Sequence, residues 1–187
     1  MASTAGTTRP FVYLDLEAIP DDGYRREIID GVLTVTPAPV TRHQDVTLAL
    51  YRLLYAGAQP DLKVLVAPYD WLLPDGGSVQ PDVIVFRRNE CDLDGPLPAT
   101  ATPLLVVEVL SPSGIEHDRI LKRAIYQRLG VPAYWIVDPG SKISPPMLTV
   151  LRLQDGIYIV EADIAGPQQF ITDWPYPVQV VPGNLPD

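Results

Sequence analysis

The segment Leu104–Leu110 reads Leu-Leu-Val-Val-Glu-Val-Leu, and it constrains the fold more than any other stretch of the chain. Its apolar residues do not alternate with polar ones. A strand with one wet face alternates, whereas a strand without alternation is covered on both faces. Such a strand belongs in the middle of a sheet with a layer of structure on each side. The single polar residue in the run, Glu108, is then forced into apolar surroundings. A carboxylate there is costly unless it is paired, hydrogen-bonded or bound to a metal.

The rest of the chain supplies elements for those layers. Residues 1–10 read as a flexible leader, and Phe11–Pro20 as a short helix. Glu27–Pro37 forms a hairpin, because Asp30-Gly31 separates two β-branched runs and that dipeptide suits a two-residue turn. Val40–Ala58 repeats apolar residues three and four apart (Val46, Leu50, Leu53, Leu54), which predicts an amphipathic helix with Thr41 as its N-cap and Gly57 near its end. Strands follow at 63–67, 69–73 and Val79–Phe86. A loop covers 87–103, and the central strand comes next. Ile115–Leu129 is a second helix pattern, with Ile115, Ile120, Leu121, Ala124, Ile125 and Leu129 on or near one face. Gly130 fits the position just past its end, and Pro132 follows. Ala133–Val137 is a strand, and a second hairpin turns at Asp155-Gly156. With 187 residues and no repeat or long linker, 11–187 is read as a single domain. The fold class is α/β, an α+β mixed sheet flanked by helices, with additional N- and C-terminal β-hairpins.

One cysteine, Cys91, excludes an intrachain disulfide framework and a multi-cysteine zinc site. The N-terminus lacks the apolar core of a signal peptide, and no apolar run approaches the roughly 18 residues of a membrane span, so a cytoplasmic protein without membrane contact is expected. The formal net charge of −9 counts against simple nucleic-acid binding, which runs on phosphate neutralisation by Lys and Arg. A metal site and a local basic face can still act inside an acidic protein.

Asp82 interrupts a strand as Glu108 does. If the two strands are neighbours, both carboxylates point into one shallow site, where a hard divalent cation such as Mg²⁺ relieves their repulsion. The plainer readings are that Asp82 caps a turn and that Glu108 pairs with Arg119. Lys122 either pairs with Asp118 on a solvated helix face or places its ammonium over the acids. His43 and Gln44 open the first long helix. His43 contacts phosphate or shuttles protons, or is an ordinary surface or capping residue. His117 reads as solvated, and no two histidines have zinc-ligand spacing. No Gly-rich phosphate loop is present, and Gly76-Gly77 reads as a turn.

Taken in order, Glu27-Ile-Ile-Asp-Gly31, His43-Gln44, Gln80-Pro81-Asp82-Val83, Val107-Glu108-Val109-Leu110-Ser111-Pro112-Ser113 and Gly130-Val-Pro-Ala-Tyr-Trp-Ile-Val-Asp-Pro139 resemble the Uma-two family of restriction-endonuclease-like proteins. The likeness runs from about residue 11 to about residue 160. It implies the PD-(D/E)XK nuclease fold, a restriction-endonuclease-like core with a central mixed sheet. Pro81-Asp82 matches the family's first acid and Glu108 its second. Leu110 stands where the wider pattern has lysine, and Lys122 on the following helix takes that place. Glu27 matches an additional acid. The implied activity is Mg²⁺- or Mn²⁺-dependent hydrolysis of phosphodiester bonds in nucleic acid, DNA in the first instance. Asp82, Glu108 and the Val109 carbonyl would hold the metal, and Lys122 and Glu27 would assist. His43, Gln44 and Arg119 are candidate substrate contacts, and Arg87, Arg88, Arg123 and Arg128 candidates for a phosphate-facing surface.

Two rivals stand beside this reading. The same fold can serve as a catalytically inactive binding or assembly module, or as a nuclease handed its DNA by a basic partner. The late aromatic residues Tyr158, Phe170, Trp174 and Tyr176 either form a homodimer patch or close the core.

Overall fold

The structure, a computed structural model, describes residues 9–20, 22–111 and 117–185, and the side chains of all of these except 117–119. Most of the leader, the turn at Pro112–Gly114 and the start of the second helix at Ile115 therefore lie outside the described residues.

A short 3₁₀ helix, Tyr13–Ala18, precedes the first hairpin, β1 (Arg25–Ile29) and β2 (Val32–Thr36). Asp30 and Gly31 both take positive φ, 48° and 77°, as a tight two-residue hairpin turn requires. The helix α1 follows at Thr41–Gly57. Thr41 is its first helical residue and not its cap. Val40 holds the cap position, and its apolar side chain has no oxygen to offer the first turn. Val46, Leu50 and Leu54 are fully buried on the inner face, each contributing about 1.5–3 kcal/mol by leaving water.

The strands β3 (Leu62–Val66), β4 (Trp71–Leu72), β5 (Ser78–Val79), β6 (Val83–Arg87) and β7 (Leu105–Val109) come next. The span Val79–Phe86 is thus not one strand. It breaks at Gln80-Pro81-Asp82, where the chain leaves one sheet and enters another. Pro81 has no N–H for a ladder and limits Gln80 to extended backbone, so the change of sheet falls where a ladder would fail. A π-helical turn at His117–Lys122 leads into α2 (Arg123–Arg128). The chain finishes with β8 (Ala133–Asp138), β9 (Met147–Gln154), β10 (Ile157–Ala165), β11 (Phe170–Thr172) and β12 (Val178–Val180). The β9–β10 hairpin turns at Asp155 and Gly156, again with positive φ, 49° and 79°.

The main sheet is mixed, in the order β10-β9-β8-β7-β6-β3. Only β7 and β8 run parallel, joined by the crossover that carries α2. The smaller sheet has the order β2-β1-β5-β4, and β11 pairs with β12 apart. The central position of β7 is what its unbroken apolar sequence called for. Leu105, Val107 and Val109 face α1, while Val106 and Leu110 face the α2 side.

Two expectations about faces change. In the second helix Ile125 is buried as expected, but Ile120 and Leu121 are exposed, and Lys122 and Tyr126 are buried in their stead. A π turn carries an extra residue, and one residue rotates a helical register by roughly 100°. The inward face therefore cannot be extrapolated through it. At the other end, Phe170 and Tyr176 pack with the α1-side core and Tyr158 with the α2-side core. They close the core, and only Trp174 of the four late aromatics is exposed. Among the described residues no helix is long and apolar enough to cross a membrane.

Candidate functional site

Side chains alternate along a strand, so the even-numbered residues of β7 put Glu108 on the α2 side of the sheet. The antiparallel register of β6 and β7 pairs Val83 with Val107. One step further along both strands brings Asp82 opposite Glu108. The Asp82 carboxylate reaches across, and its Oδ2 accepts the Val109 N–H at 2.8 Å. In the smaller sheet, Arg25, Glu27 and Ile29 share one face of β1 by the same alternation, and Ile29 packs into the α2-side core. Glu27 Oε1 accepts the Gln80 N–H at 2.8 Å, so the acid from β1 is fastened to the chain just before Asp82. The site is therefore assembled where the two sheets meet.

All three carboxylates are buried: Glu27 is 3 %, Asp82 3 % and Glu108 1 % exposed. Two cations hold them. Lys122, 1 % exposed, places Nζ 3.0 Å from Glu27 Oε1 and 2.9 Å from Glu108 Oε1. The Asp118 side chain, the other partner expected for Lys122, lies outside the described residues. Arg25 reaches Asp82 Oδ1 at 2.8 Å, Glu27 Oε1 at 3.2 Å and Glu108 Oε2 at 3.8 Å, and it also donates to the Gln80 carbonyl. The Tyr126 hydroxyl donates to Glu108 Oε1 at 2.7 Å. His43 is buried at the first turn of α1, with Nε2 3.3 Å from Asp82 Oδ2. Three carboxylates and two cations leave one negative charge among these described groups while His43 is neutral.

The electrostatics follow from this packing. Burial pushes the Asp82 carboxyl up, but the His43 hydrogen bond and the charge on Arg25 outweigh it and hold the pKa below its ordinary value. For Glu27, burial is likewise outweighed by Lys122, Arg25 and the Gln80 N–H. Burial works against the charge on Arg25, yet the three acids hold its pKa above the ordinary one. Asp70, bonded by Gln80 and Tyr13, goes the other way, and burial raises it. The Tyr126 hydroxyl is raised by burial and by Glu108, so it remains a donor.

A pH dependence follows. Groups with depressed pKa contribute stability that is complete above their unfolded values, 4.5 for Glu27 and 3.8 for Asp82, and lost as pH falls towards the folded ones. Asp70 opposes this, because protonating a raised carboxyl favours the fold at low pH. With two acids against one, the urea midpoint is expected to hold from about pH 7 to 5.5 and to drop steeply between about pH 5 and 3. A midpoint unchanged down to about pH 3 would show that the native state does not favour the ionised forms of Glu27 and Asp82.

The sequence-derived candidates divide clearly. Asp82, Glu108, Glu27, Lys122 and His43 are brought together. Gln44, one residue past His43, is exposed. The Arg119 and His117 side chains lie outside the described residues. Val109 lies beside the acids, and its N–H, the group in use, serves Asp82. Leu110, two residues past Glu108 on the same face, is buried in the α2-side core and contributes packing there. The arginines read as a phosphate surface are locally engaged: Arg87 with Glu90, Arg88 with the Pro60 carbonyl, Arg123 with the Tyr158 carbonyl and Arg128 with Asp30. Arg87 also stands at the far end of β6 from Asp82, about 17 Å along a strand. They do not form a rim around the acids.

Sequence reasoning missed Arg25 and Tyr126. Both had a signal in their spacing. Arg25 is two residues before Glu27 on a strand, and Tyr126 four residues after Lys122 on a helix, and each spacing puts two side chains on one face.

The donor set is of the kind a hard divalent cation takes, three carboxylates with nothing but oxygen to offer. As they stand, the described His, Cys, Asp and Glu side chains include no group of three gathered for a metal ion. The guanidinium of Arg25 lies between them.

A family model, Uma2, described as "Putative restriction endonuclease", matches residues 13–172. Among solved structures, a "putative nuclease belonging to DUF820" from Anabaena variabilis has a TM-score of 0.65 and 16 % identity over 87 % of this chain and 88 % of that one. At that identity the likeness is one of fold, the restriction-endonuclease-like mixed sheet. No curated protein matches the chain.

Proposed function

Because the chain belongs to the Uma2 family, we propose that it is a divalent-metal-dependent endonuclease that hydrolyses phosphodiester bonds of nucleic acid, DNA in the first instance. The observation that carries this reading is the convergence of Asp82, Glu108 and Glu27 in one buried cluster. Stability does not account for it, since a buried ion network is often no better than apolar packing of the same volume. Asp82 and Glu108 would hold Mg²⁺ or Mn²⁺, with the Val109 carbonyl. Bound there, the metal supplies a water of lowered pKa and offsets charge on the scissile phosphate. Lys122 keeps Glu27 ionised and holds Glu108 Oε1 in place. Its link to both acids supports a positioning role, with the ammonium available to a phosphate only if that link opens. Glu27 orients Arg25 and the Gln80 backbone beside Asp82. His43 fixes the second oxygen of Asp82 and is the candidate for passing a proton to solvent.

The cytoplasm and a homodimer belong to the same proposal, as the compartment of the substrate and a way to address both strands of a duplex. A second reading has its own support. The net charge is −9, and the acids are already largely neutralised from within. A binding or assembly module would need no more than that.

Incubating the purified protein with supercoiled plasmid and with single-stranded DNA and RNA, in Mg²⁺, Mn²⁺ or chelator, separates the two. Cleavage with metal and none with chelator is expected. A protein that binds metal and cleaves none of these substrates would give the field to the module.

A further inference from the structure

Arg25 touches all three acids at once. One guanidinium nitrogen is 2.8 Å from Asp82 Oδ1, and the other is 3.2 Å from Glu27 Oε1 and 3.8 Å from Glu108 Oε2. A hard cation entering a carboxylate site seeks the same kind of oxygen from the same residues. Two positive centres cannot both sit among those oxygens, because at a few ångströms their repulsion in a partly buried site is large.

The two cations of the cluster differ in how they are held. The Lys122 side chain is 2 % exposed and comes from beneath the sheet on the α2 side. The Arg25 side chain is 21 % exposed and comes from the first residue of β1, paired with Thr36 at the open end of the hairpin, so it has a way out to water. Its Nε is buried and meets no hydrogen-bond acceptor among the described residues. A guanidinium that leaves a buried donor unpaired is held mainly by the charges it faces, and a competitor for those charges can release it.

We propose that Arg25 is a displaceable counter-ion: its guanidinium stands in for the metal among Glu27, Asp82 and Glu108, and a divalent cation enters only as Arg25 swings out to solvent. This rests on the reading of the three acids as a divalent-metal site. Arg25 neutralises the acids while no metal is present, which lets three carboxylates be buried together. It also sets a threshold on metal affinity, because each binding event must first break the Arg25 contacts.

The test is calorimetric titration of Mn²⁺ and Mg²⁺ into wild type and Arg25→Met, with the Arg25 Nε–H signal of wild type followed in ¹⁵N-correlated spectra. Removing the competing charge is expected to tighten Mn²⁺ binding by about tenfold or more. The Nε–H signal is expected to shift saturably with metal as the guanidinium moves to water. Binding in Arg25→Met where wild type shows none would support the proposal equally. Equal affinities with an unmoved signal would overturn it and leave the metal site standing. Two folded proteins that both ignore Mn²⁺ and Mg²⁺ would overturn the metal reading itself, and this proposal with it. If Arg25→Met does not fold, the wild-type spectrum decides, and an unmoved signal at metal saturation overturns the proposal.

Discussion

A Glu108→Gln variant is expected to cut nucleic acid roughly 10³-fold more slowly than wild type while unfolding no more readily. The rate loss follows from taking one preorganised charge out of the site. The unchanged stability follows from the charge balance. Glutamine keeps an Oε1 that can accept from both Lys122 Nζ and the Tyr126 hydroxyl, the two bonds at 2.9 and 2.7 Å. It removes one of three carboxylates facing two cations, so the described cluster becomes neutral. Buried charge without a counter-charge is what destabilises. The substitution therefore relieves the fold at the expense of the chemistry, the usual direction of conflict at active sites. Parallel measurements of plasmid nicking and of urea unfolding check both halves. Undiminished metal-dependent nicking by the variant would remove Glu108 from the reaction.

Lys122→Met is expected to do the reverse and damage the fold most. It leaves Glu27, Asp82 and Glu108 buried with Arg25 as their one remaining described cation. Removing one partner of a buried ion network costs about 3–5 kcal/mol, which for a chain of this size lowers the thermal midpoint by roughly 6–20 °C. Methionine fills most of the lysine stem, so the loss reports the charge and not a cavity. Adding Glu27→Gln to Lys122→Met should recover a large part of the loss, since it restores the balance. A loss below about 1 kcal/mol for Lys122→Met would mean that the ammonium does not hold these acids.

How much of this the sequence discloses depends on whether a residue's setting is local. Asp30-Gly31 and Asp155-Gly156 announce their hairpins because the turn itself demands positive φ. Glu108 is conspicuous because its seven-residue neighbourhood is otherwise apolar. The matching of Asp82 to Glu108 depends on which strands pair, and the ordered motif carried that information. The break at Pro81 was visible as a proline but read through, because Val79–Phe86 is apolar enough to pass for one strand. The inner face of the second helix was misjudged because a π turn leaves no mark in a periodicity count. Arg25 was overlooked for a similar reason. Its role comes from the meeting of two sheets, and an arginine at the head of a short hairpin looks like a solvated residue until its neighbours are known. The sequence itself offers the acids and Lys122, and the family likeness gives the fold; Arg25, the second cation beside these acids, emerges only from the three-dimensional register.

The attachment of the first hairpin has one more consequence. β1 joins β5 through a single pair, Ile28 with Ser78, and carries both Arg25 and Glu27. A sub-global opening that peels the hairpin away would remove a positive and a negative group in one step. Asp82, Glu108 and Lys122 would be left behind with the same net charge as before. Breathing of this kind is isoelectric: it exposes the inner pair of acids to water and to ions without any change in the charge that the remaining protein must bear.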